Sequence, residues 1–280
     1  MRSKLALAAA ALSLLTGTAS HAADVPAARA ADPLFAPVPV SSDEWIVTLR
    51  GTVGAAPKFE GADRFGLVAF PGFDLRRSNE PARFSAPDDG FDYAVYRNGG
   101  FSAGPVGRFR TGRYLTDDRR LFGLHDVRWS VEPGVFAEYW ATPSIRARAE
   151  LRHGVRGREG FVGDFGVDWV SRLGAFTAAL GPRLRIADAD YNRDLYGVTF
   201  AEAALNGRFA AYRPGGGLNS VGAAASLGYQ WTDTWGTTVY GSYRRLVSDA
   251  AASPIVRNIG SPNQLELGAT VSYSFRTRGF

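Results

Sequence analysis

Charged side chains recur at every second position in several segments of this sequence. In the segment SIRARAELRH, arginine and glutamate alternate with Ile, Ala and Leu. Neighbouring residues of a strand point to opposite faces, so charges with this spacing share one face. Such a face could attract anionic solutes through guanidinium groups, or bind its own carboxylates as ion pairs. The candidates for the inside of a sheet are Arg146, Arg148, Arg152, Arg183, Arg185, Glu132, Glu138, Glu150, Asp164 and Asp168.

Two outcomes are open for these residues. An unpaired row of arginines would line a narrow pore or a solute-binding interior, whereas a paired network would plug the interior. Eight strands enclose a space that side chains just fill and sixteen leave a channel. For ten to twelve strands, the sequence therefore favours the plugged interior at least as much as the open one.

Hydrolytic chemistry has little support in the sequence. A membrane-embedded lipase or deacylase needs a serine, a histidine and an acid in one constellation. Beyond the N-terminal segment the chain has His125 and His153 as its only histidines, no cysteine and no nucleophile-elbow motif. We therefore predict two solvated histidines near strand ends, no catalytic residue and a protein that is not an enzyme.

One acidic segment has the opening spacing of a calcium loop. In DADYNRD, oxygen-bearing side chains stand at Asp188, Asp190, Asn192 and Asp194. An arginine follows where the loop needs glycine, and Thr199 takes the place of the bidentate glutamate. The segment is therefore predicted to be a solvated loop, and we expect neither a metal nor a cofactor.

Ten segments alternate in the manner of strands, and no helical period is visible in the mature chain. They are EWIVTLRGTV, LVAFPGFDL, GPVGRFRTGR, VRWSVEPGVFAEYW, SIRARAELRH, FVGDFGVDWVSR, AFTAALGPRLRI, VGAAASLGYQW, WGTTVYGSYRRLV and the final strand that begins at Gln264. Short turns such as ATPS and TDT join neighbours. The predicted class is all-β and antiparallel.

The first residues indicate export. Arg2 and Lys4 precede a short apolar run and then small residues, so residues 1–22 are predicted to be a cleaved Sec-type signal peptide. Residues 23–43 are rich in Ala and Pro and are expected to be a flexible lead-in to a domain over 44–280. Removing Arg2 and Lys4 lowers the formal charge of +5 by two, to +3. So small an excess gives little support to nucleic-acid binding.

A β-sandwich also alternates, but three features favour a barrel. Charges concentrate on one face, as a barrel in lipid requires, because a charge at the bilayer midplane costs about 2–4 kcal/mol. Short turns alternate with the long segments 187–217 and 248–263, and five of the six tryptophans lie near the short-turn ends of strands. We predict a closed antiparallel transmembrane barrel of ten strands in the outer-membrane lipid of a Gram-negative cell, with short periplasmic turns and long extracellular loops. If Phe91–Arg97 and a second segment also span the membrane, the barrel has twelve strands.

The last strand carries a predicted assembly signal. Val271, Tyr273 and Phe275 alternate on one apolar face, which resembles the C-terminal signal read by the barrel assembly machinery. Counting back from Phe280 instead places arginines at apolar positions. Phe275 is therefore the predicted signal aromatic.

From about Trp45 to Phe275 the chain resembles the MipA/OmpV family of outer-membrane proteins. The resemblance is strongest in DTWGTTVYGSYRRLVSDAAASPIV and is supported by GPVGRFRTGR, GLHDV and DYNRDLYGV. Ala252, where the family often has an acid, and the tail beyond Phe275 depart from the pattern. The resemblance implies a cell-envelope scaffold in peptidoglycan turnover, with a lytic transglycosylase and a bifunctional penicillin-binding protein as partners.

Overall fold

A computed structural model describes residues 44–80 and 82–278 of the chain. The predicted signal peptide (1–22), the lead-in (23–43) and Phe280 lie outside the described residues. The described strands are β1 (Glu44–Pro57), β2 (Phe65–Arg77), β3 (Phe91–Asp92), β4 (Tyr96–Asn98), β5 (Phe101–Arg110), β6 (Ser130–Thr142), β7 (Ile145–Gly154), β8 (Gly160–Leu173), β9 (Phe176–Ala187), β10 (Gly217–Gln230), β11 (Trp235–Leu246) and β12 (Asn263–Arg278). The helices are α1 (Ala189–Tyr196), α2 (Phe200–Asn206), α3 (Ser248–Ala252) and α4 (Pro254–Ile259).

All twelve described strands belong to one curled antiparallel sheet. Its order is β2-β1-β12-β11-β10-β9-β8-β7-β6-β5-β3, and β4 also pairs with β5. The ten strands of ten or more residues coincide with the ten predicted segments. The all-β antiparallel class is thus confirmed, because the two-residue period of these segments matches the pleat of a half-buried strand.

The two outer strands of this sheet run in the same direction, because ten antiparallel steps separate β2 from β3. No backbone pairing joins these two strands within 44–80 and 82–278, so the predicted closed barrel of ten strands is not confirmed. They are nevertheless neighbours, since a methyl group added at Gly72 would lie 3.8 Å from the Phe91 ring. The Phe91–Arg97 segment does join the sheet, but it pairs with β5 alone.

The connections differ in length between the two ends of the sheet, as predicted. One end, called the short-turn end, has the short connections 99–100, 143–144, 174–175 and 231–234, and the longer connection from β2 to β3 also begins there. The other, the long-loop end, has 58–64, 111–129, 155–159, 188–216 and 247–262. The expectation of no helix was wrong here, because α1 to α4 lie in the last two loops and are too short to show a 3.6-residue period.

The long loops pack against one another rather than standing free. Tyr191, Leu195 and Tyr196 of α1 are buried together with Val256 of α4. A second buried cluster joins Phe59, Leu121, Val198, Phe209, Ile255 and Ile259 from four different connections. These apolar contacts form a cap over the long-loop end.

The sheet is apolar on its outer face and charged on its inner face. Leu67 is 94% exposed and Val135 is 60% exposed, whereas Arg146 and Arg152 are fully buried. Water-soluble proteins show the opposite arrangement. An outer face of this kind suits hydrocarbon, in which a strand can be stable only if its backbone groups are paired within the sheet. Among the described helices, none has both the length and the apolar character needed to cross a bilayer.

Candidate functional site: an ion-pair network inside the sheet

The ten charged residues singled out in the sequence come together on the inner face of β6 to β9. Cross-strand register places Glu138 opposite Arg148, and Arg146 opposite Asp168. The inner face is the only one that these alternating positions can share, because the residues between them are apolar and point outward. Two carboxylates and two guanidinium groups are thereby neighbours on three adjacent strands.

Arg146 is the most completely paired of these arginines. Its side chain is fully buried and contacts Asp89 at 2.5 Å, Glu138 at 2.9 Å and Asp168 at 3.0 Å. Three carboxylates around one guanidinium use donors on all three of its nitrogens. Pairing of this kind offsets the large cost of removing the charges from water.

The same pattern continues toward the long-loop end. Arg152 is fully buried and donates to Glu132 at 3.2 Å, and it also contacts Glu150 and Asp164. Arg185 contacts Asp164 at 2.8 Å and reaches a residue outside the strands, Glu60, at 3.0 Å. The network therefore extends from the sheet into the first long loop.

Ion pairs of 4.0 Å or less connect Arg146 with seventeen other charged side chains, and the connected group is formally neutral. Its nine arginines are Arg83, Arg108, Arg110, Arg146, Arg148, Arg152, Arg158, Arg183 and Arg185. Its nine carboxylates are Glu60, Asp88, Asp89, Asp92, Glu132, Glu138, Glu150, Asp164 and Asp168. We call this set the ion-pair network.

An inner segment, residues 82–90, supplies part of the network. After β2 ends at the short-turn end, the chain passes along the inner face of the sheet before β3 begins. Asp88 contacts Arg183 at 2.7 Å, and the Gly90 amide donates to Glu150 at 3.0 Å. Near the short-turn end, the Phe84 ring meets Trp140 edge to face at 6.2 Å. The inner segment occupies space that an open barrel would leave to water.

Eight members of the network were not predicted from the sequence. Arg108 and Arg110 alternate on β5, but the glycines of GPVGRFRTGR obscure the phase of that strand. The acidic run APDDGFD could have provided a signal, since a group of carboxylates so near in sequence to an arginine-rich sheet is a candidate counter-charge. Glu60, Arg83 and Arg158 lie in connections and show no such pattern.

Glu60 marks where the network meets the cap. Tyr196 donates to it from Oη at 3.2 Å, and burial raises the pKa of that tyrosine well above its ordinary value. Burial would also raise the pKa of Glu60, but Arg185 and Arg158, with further arginines near them, outweigh burial and lower it to about 2. Glu60 is thus held as a carboxylate in a strongly positive environment.

The opposite inner wall is built differently. On β1 and β12 several inward residues are small hydroxyl side chains, with Thr48 bonded to Ser274 and Thr52 bonded to Thr270, each at 2.8 Å. These positions are half-buried rather than buried. We call this face the small-residue wall; the ion-pair network therefore fills one side of the interior and leaves the other wetter.

The histidines and the acidic DADYNRD segment have local structural contacts. His125 contacts Glu202 through Nδ1 at 2.6 Å, whereas the His153 ring packs on Phe161 on the outer face. Asp188 caps α1 by accepting from the Tyr191 amide at 2.8 Å. Asp194 accepts from the Glu159 amide at 2.7 Å. His125, Asp188 and Asp194 thus hold loops and a helix end in place, whereas His153 contributes to the outer face of the sheet.

The predicted assembly residues lie on the outer face of β12. Val271, Tyr273 and Phe275 are all exposed, and the Tyr273 ring lies 4.8 Å from that of Trp235. The strand continues past Phe275 to Arg278, which pairs with Glu44 of β1. Residues after the predicted signal thus remain part of the sheet.

The tryptophans mark the short-turn end. Trp169, Trp231 and Trp235 are exposed there, and Trp45 is the second residue of β1 at the same end, whereas Trp129 lies at the long-loop end. Trp140 differs, because it points inward and donates from Nε1 to Glu138 at 3.0 Å. Exposed amphipathic rings at one level of the sheet are typical of a membrane interface.

An antiparallel sheet with lipid-type side chains outside and paired charges inside defines an outer-membrane β-protein. Comparison with known proteins agrees with this class. Residues 50–275 match the family model described as MltA-interacting protein MipA. The chain belongs to the MipA family, and it is an outer-membrane protein.

Two curated relatives are outer-membrane proteins of vibrios. The chain is 38% identical over 103 residues to the outer membrane protein Omp26La of Vibrio anguillarum, covering 37% of this chain and 38% of that protein. It is 41% identical over 87 residues to OmpV of Vibrio cholerae, covering 31% and 32%. The matched segments thus span about a third of each relative.

Solved structures of channels resemble the sheet distantly. The KdgM porin has 12% identity and a TM-score of 0.37, covering 82% of this chain and 99% of its own. The NanC porin has 11% identity and a TM-score of 0.39, covering 82% and 98%.

Proposed function

We propose that this protein is a non-enzymatic scaffold of the cell envelope, whose sheet closes in the outer membrane with the short-turn end toward the periplasm. The ion-pair network is the observation that carries the proposal. Nine arginines and nine carboxylates neutralise one another, and the inner segment adds bulk to the same side of the interior. A barrel whose interior is filled in this way is rigid, and it is therefore suited to act as a scaffold in the membrane.

The family description supports a partner in peptidoglycan turnover. It names an MltA-interacting protein, and the family resemblance implies a lytic transglycosylase and a bifunctional penicillin-binding protein as the bound enzymes. Both act on murein, so the surface that meets them would be the periplasmic one. In this orientation the docking surface consists of the four short turns. The assembly machinery would reach the outer face of β12 from the same side.

Partner capture tests the scaffold. The refolded protein in detergent would be immobilised and exposed to a purified lytic transglycosylase, with two variants beside it. Replacing 231–234 with a Gly-Ser turn should reduce capture, whereas changing the exposed Phe200 and Leu205 to Ser at the long-loop end should not. Capture that is lost only with the long-loop variant would contradict the orientation, and absence of capture by the wild type would contradict the scaffold.

The small-residue wall supports a second candidate, a narrow anion path beside the network. Arg50 on β1 faces inward there, half-buried, with no ion pair to any described residue. Unpaired guanidinium groups on a wet wall would favour anions. Planar-bilayer conductance discriminates between the candidates. Steady anion-selective current that changes in Arg50→Gln would favour the pore, and silence from a folded barrel would favour the scaffold.

A further inference from the structure

Arg244 is an inward-facing arginine that has been left without a counter-charge. Its side chain crosses the neighbouring strand at Gly222, where an added methyl group would lie 3.0 Å from Arg244 Cγ. Among the described residues it has neither an ion pair nor a hydrogen bond through its guanidinium group. Since the adjoining ion-pair network is already neutral at nine against nine, Arg244 adds one uncompensated positive charge.

The Arg244 side chain lines a small cavity on the network side. Four further arginines and five carboxylates are also part of its wall, and each of these nine residues is already paired within the ion-pair network. The volume of the cavity is about 40 Å³. One water needs roughly 10–15 Å³, so the space suits about three waters or one small polyatomic ion.

One further donor of the cavity wall has no acceptor. Arg108 lines the cavity, and its buried Nε has no hydrogen-bond partner in the described chain. Arg110 Nη2 and two nitrogens of Arg158 also lack a hydrogen-bond partner in the described chain, but these two residues lie outside the cavity wall. Buried N–H groups are rarely left without an acceptor. An anion in the cavity would accept from Arg108 Nε and from the Arg244 guanidinium, and it would also balance the charge of Arg244, which water does not.

We propose that this cavity binds one small oxyanion, a carboxylate or phosphate group, held by Arg244 and Arg108. Charge-assisted bonds from a guanidinium fork are shorter and stronger than neutral ones and suit planar or tetrahedral oxyanions. The low pKa of the nearby Glu60 agrees with a positive potential in this part of the interior. The site is independent of the scaffold role, because it lies inside the sheet and the proposed docking surface lies on its short turns.

Thermal unfolding with titrated phosphate tests the site. The protein would be refolded in a zwitterionic detergent, and sodium phosphate would replace sodium chloride at constant ionic strength. We expect a saturable rise in Tm for the wild type, since a ligand of the folded state stabilises it by mass action. Calorimetric titration should give one phosphate per chain. Acetate in place of phosphate tests the carboxylate form.

Matched variants separate the site from general salt effects. Arg244→Gln removes a side chain that contacts no charged partner, so the variant should fold and lose the phosphate-dependent rise. Arg50→Gln removes an equal charge from the opposite wall and should keep it. Arg244→Lys keeps the charge but loses the paired N–H donors of the guanidinium group, and the affinity for phosphate should fall about tenfold.

Each outcome has a defined meaning. An equal rise in the wild type and both glutamine variants would reduce the effect to bulk phosphate and overturn the proposal. No rise in the wild type with either anion would mean that water alone fills the cavity, and would also overturn it. A rise caused by phosphatidylglycerol vesicles but not by inorganic phosphate would assign the site to a lipid phosphate, whereas the reverse would assign it to a dissolved ion.

Discussion

Arg146 of β7 donates from Nη1 to Asp168 of β8 across a distance of 3.0 Å, and neither side chain is more than 3% exposed. The two residues lie opposite each other in the strand register. Their alternating positions place both on the inner face, where Glu138 and Asp89 complete the surroundings of the arginine. A charge buried in this way is stable only while its partners remain.

Replacing Arg146 should destabilise the protein strongly. Arg146→Gln would leave three carboxylates around a neutral side chain, and removal of one member of a buried ion pair typically costs about 3–5 kcal/mol. Guanidinium chloride unfolding of the refolded protein in micelles measures the change. Arg245→Gln is the matched control, because Arg245 is exposed and, within the described residues, its side chain donates only to Asn263 at 2.8 Å. Equal midpoints for the two variants would contradict the importance of the network.

The strands and the shared charged face could be predicted because both depend on a local period. Arg146, Arg148 and Glu150 stand two residues apart, and a strand can place such residues only on one face. The lengths of the connections are equally local, so the two ends of the sheet were also predicted. Their assignment to periplasm and exterior stays a prediction.

The inner segment could not be predicted in the same way. Asp88 and Arg183 are 95 residues apart in sequence, and the distance between them is set by the curl of the whole sheet. Before folding, APDDG has the composition of an ordinary solvated turn. The shared direction of the outer strands β2 and β3 has the same origin. Between these strands the chain crosses the interior, so it enters β3 in the direction of β2. Only long-range ion pairs distinguish this path from a hairpin.

Neutralising Asp88 and Asp89, which pair the inner segment with arginines of the sheet, should open the interior. Asp88→Asn with Asp89→Asn removes the contacts to Arg183 and Arg146, at 2.7 Å and 2.5 Å. We expect discrete current steps in planar bilayers where the wild type is silent. Asp63→Asn, which alters a carboxylate in the first long loop, should remain silent. A folded double variant without current would show that the segment is held by its other contacts.

An arginine on the apolar outer face should cost more free energy the nearer it lies to the bilayer midplane. Val167 lies near the middle of β8 and is 44% exposed, whereas Leu173 ends the strand at the short turns. Val167→Arg should cost about 2–4 kcal/mol and Leu173→Arg about 0–1 kcal/mol in lipid vesicles. Urea titration of vesicle-inserted protein gives both values. Similar costs at the two positions would mean that the face does not cross the hydrocarbon region.

Low pH should loosen the helical loop over 188–216. The Glu202 carboxylate accepts hydrogen bonds from the Thr199 and His125 amides, each at 2.7 Å. Burial raises its pKa, but these bonds and those of the two side chains outweigh burial and lower it from 4.5 to about 2. A depressed folded-state pKa means that the stabilisation is fully present above pH 4.5. It is lost progressively as the pH falls from about 4.5 toward 2.

Pepsin cleavage measures this loosening, since Phe200 and Leu205 of α2 are exposed. Cleavage of the loop should increase severalfold from pH 4.5 to pH 2, beyond the change seen with an unstructured peptide of the same sequence. Glu202→Gln should already be sensitive at pH 4.5 and show a flatter dependence. A wild-type loop that is equally resistant at both pH values would contradict a role for the carboxylate.

The assembly signal can be tested by comparing two aromatic residues near the end of the chain. Phe275 lies on the outer face of β12 opposite Val47 of β1, and its ring is stacked 5.9 Å from that of Tyr273. If Phe275 is the residue that the assembly machinery reads, Phe275→Ser should lower the folded fraction in the outer membrane severalfold. Phe280→Ser should have little effect. Gel mobility without heating separates folded from unfolded chains, and the reverse ranking would assign the signal to the last residue.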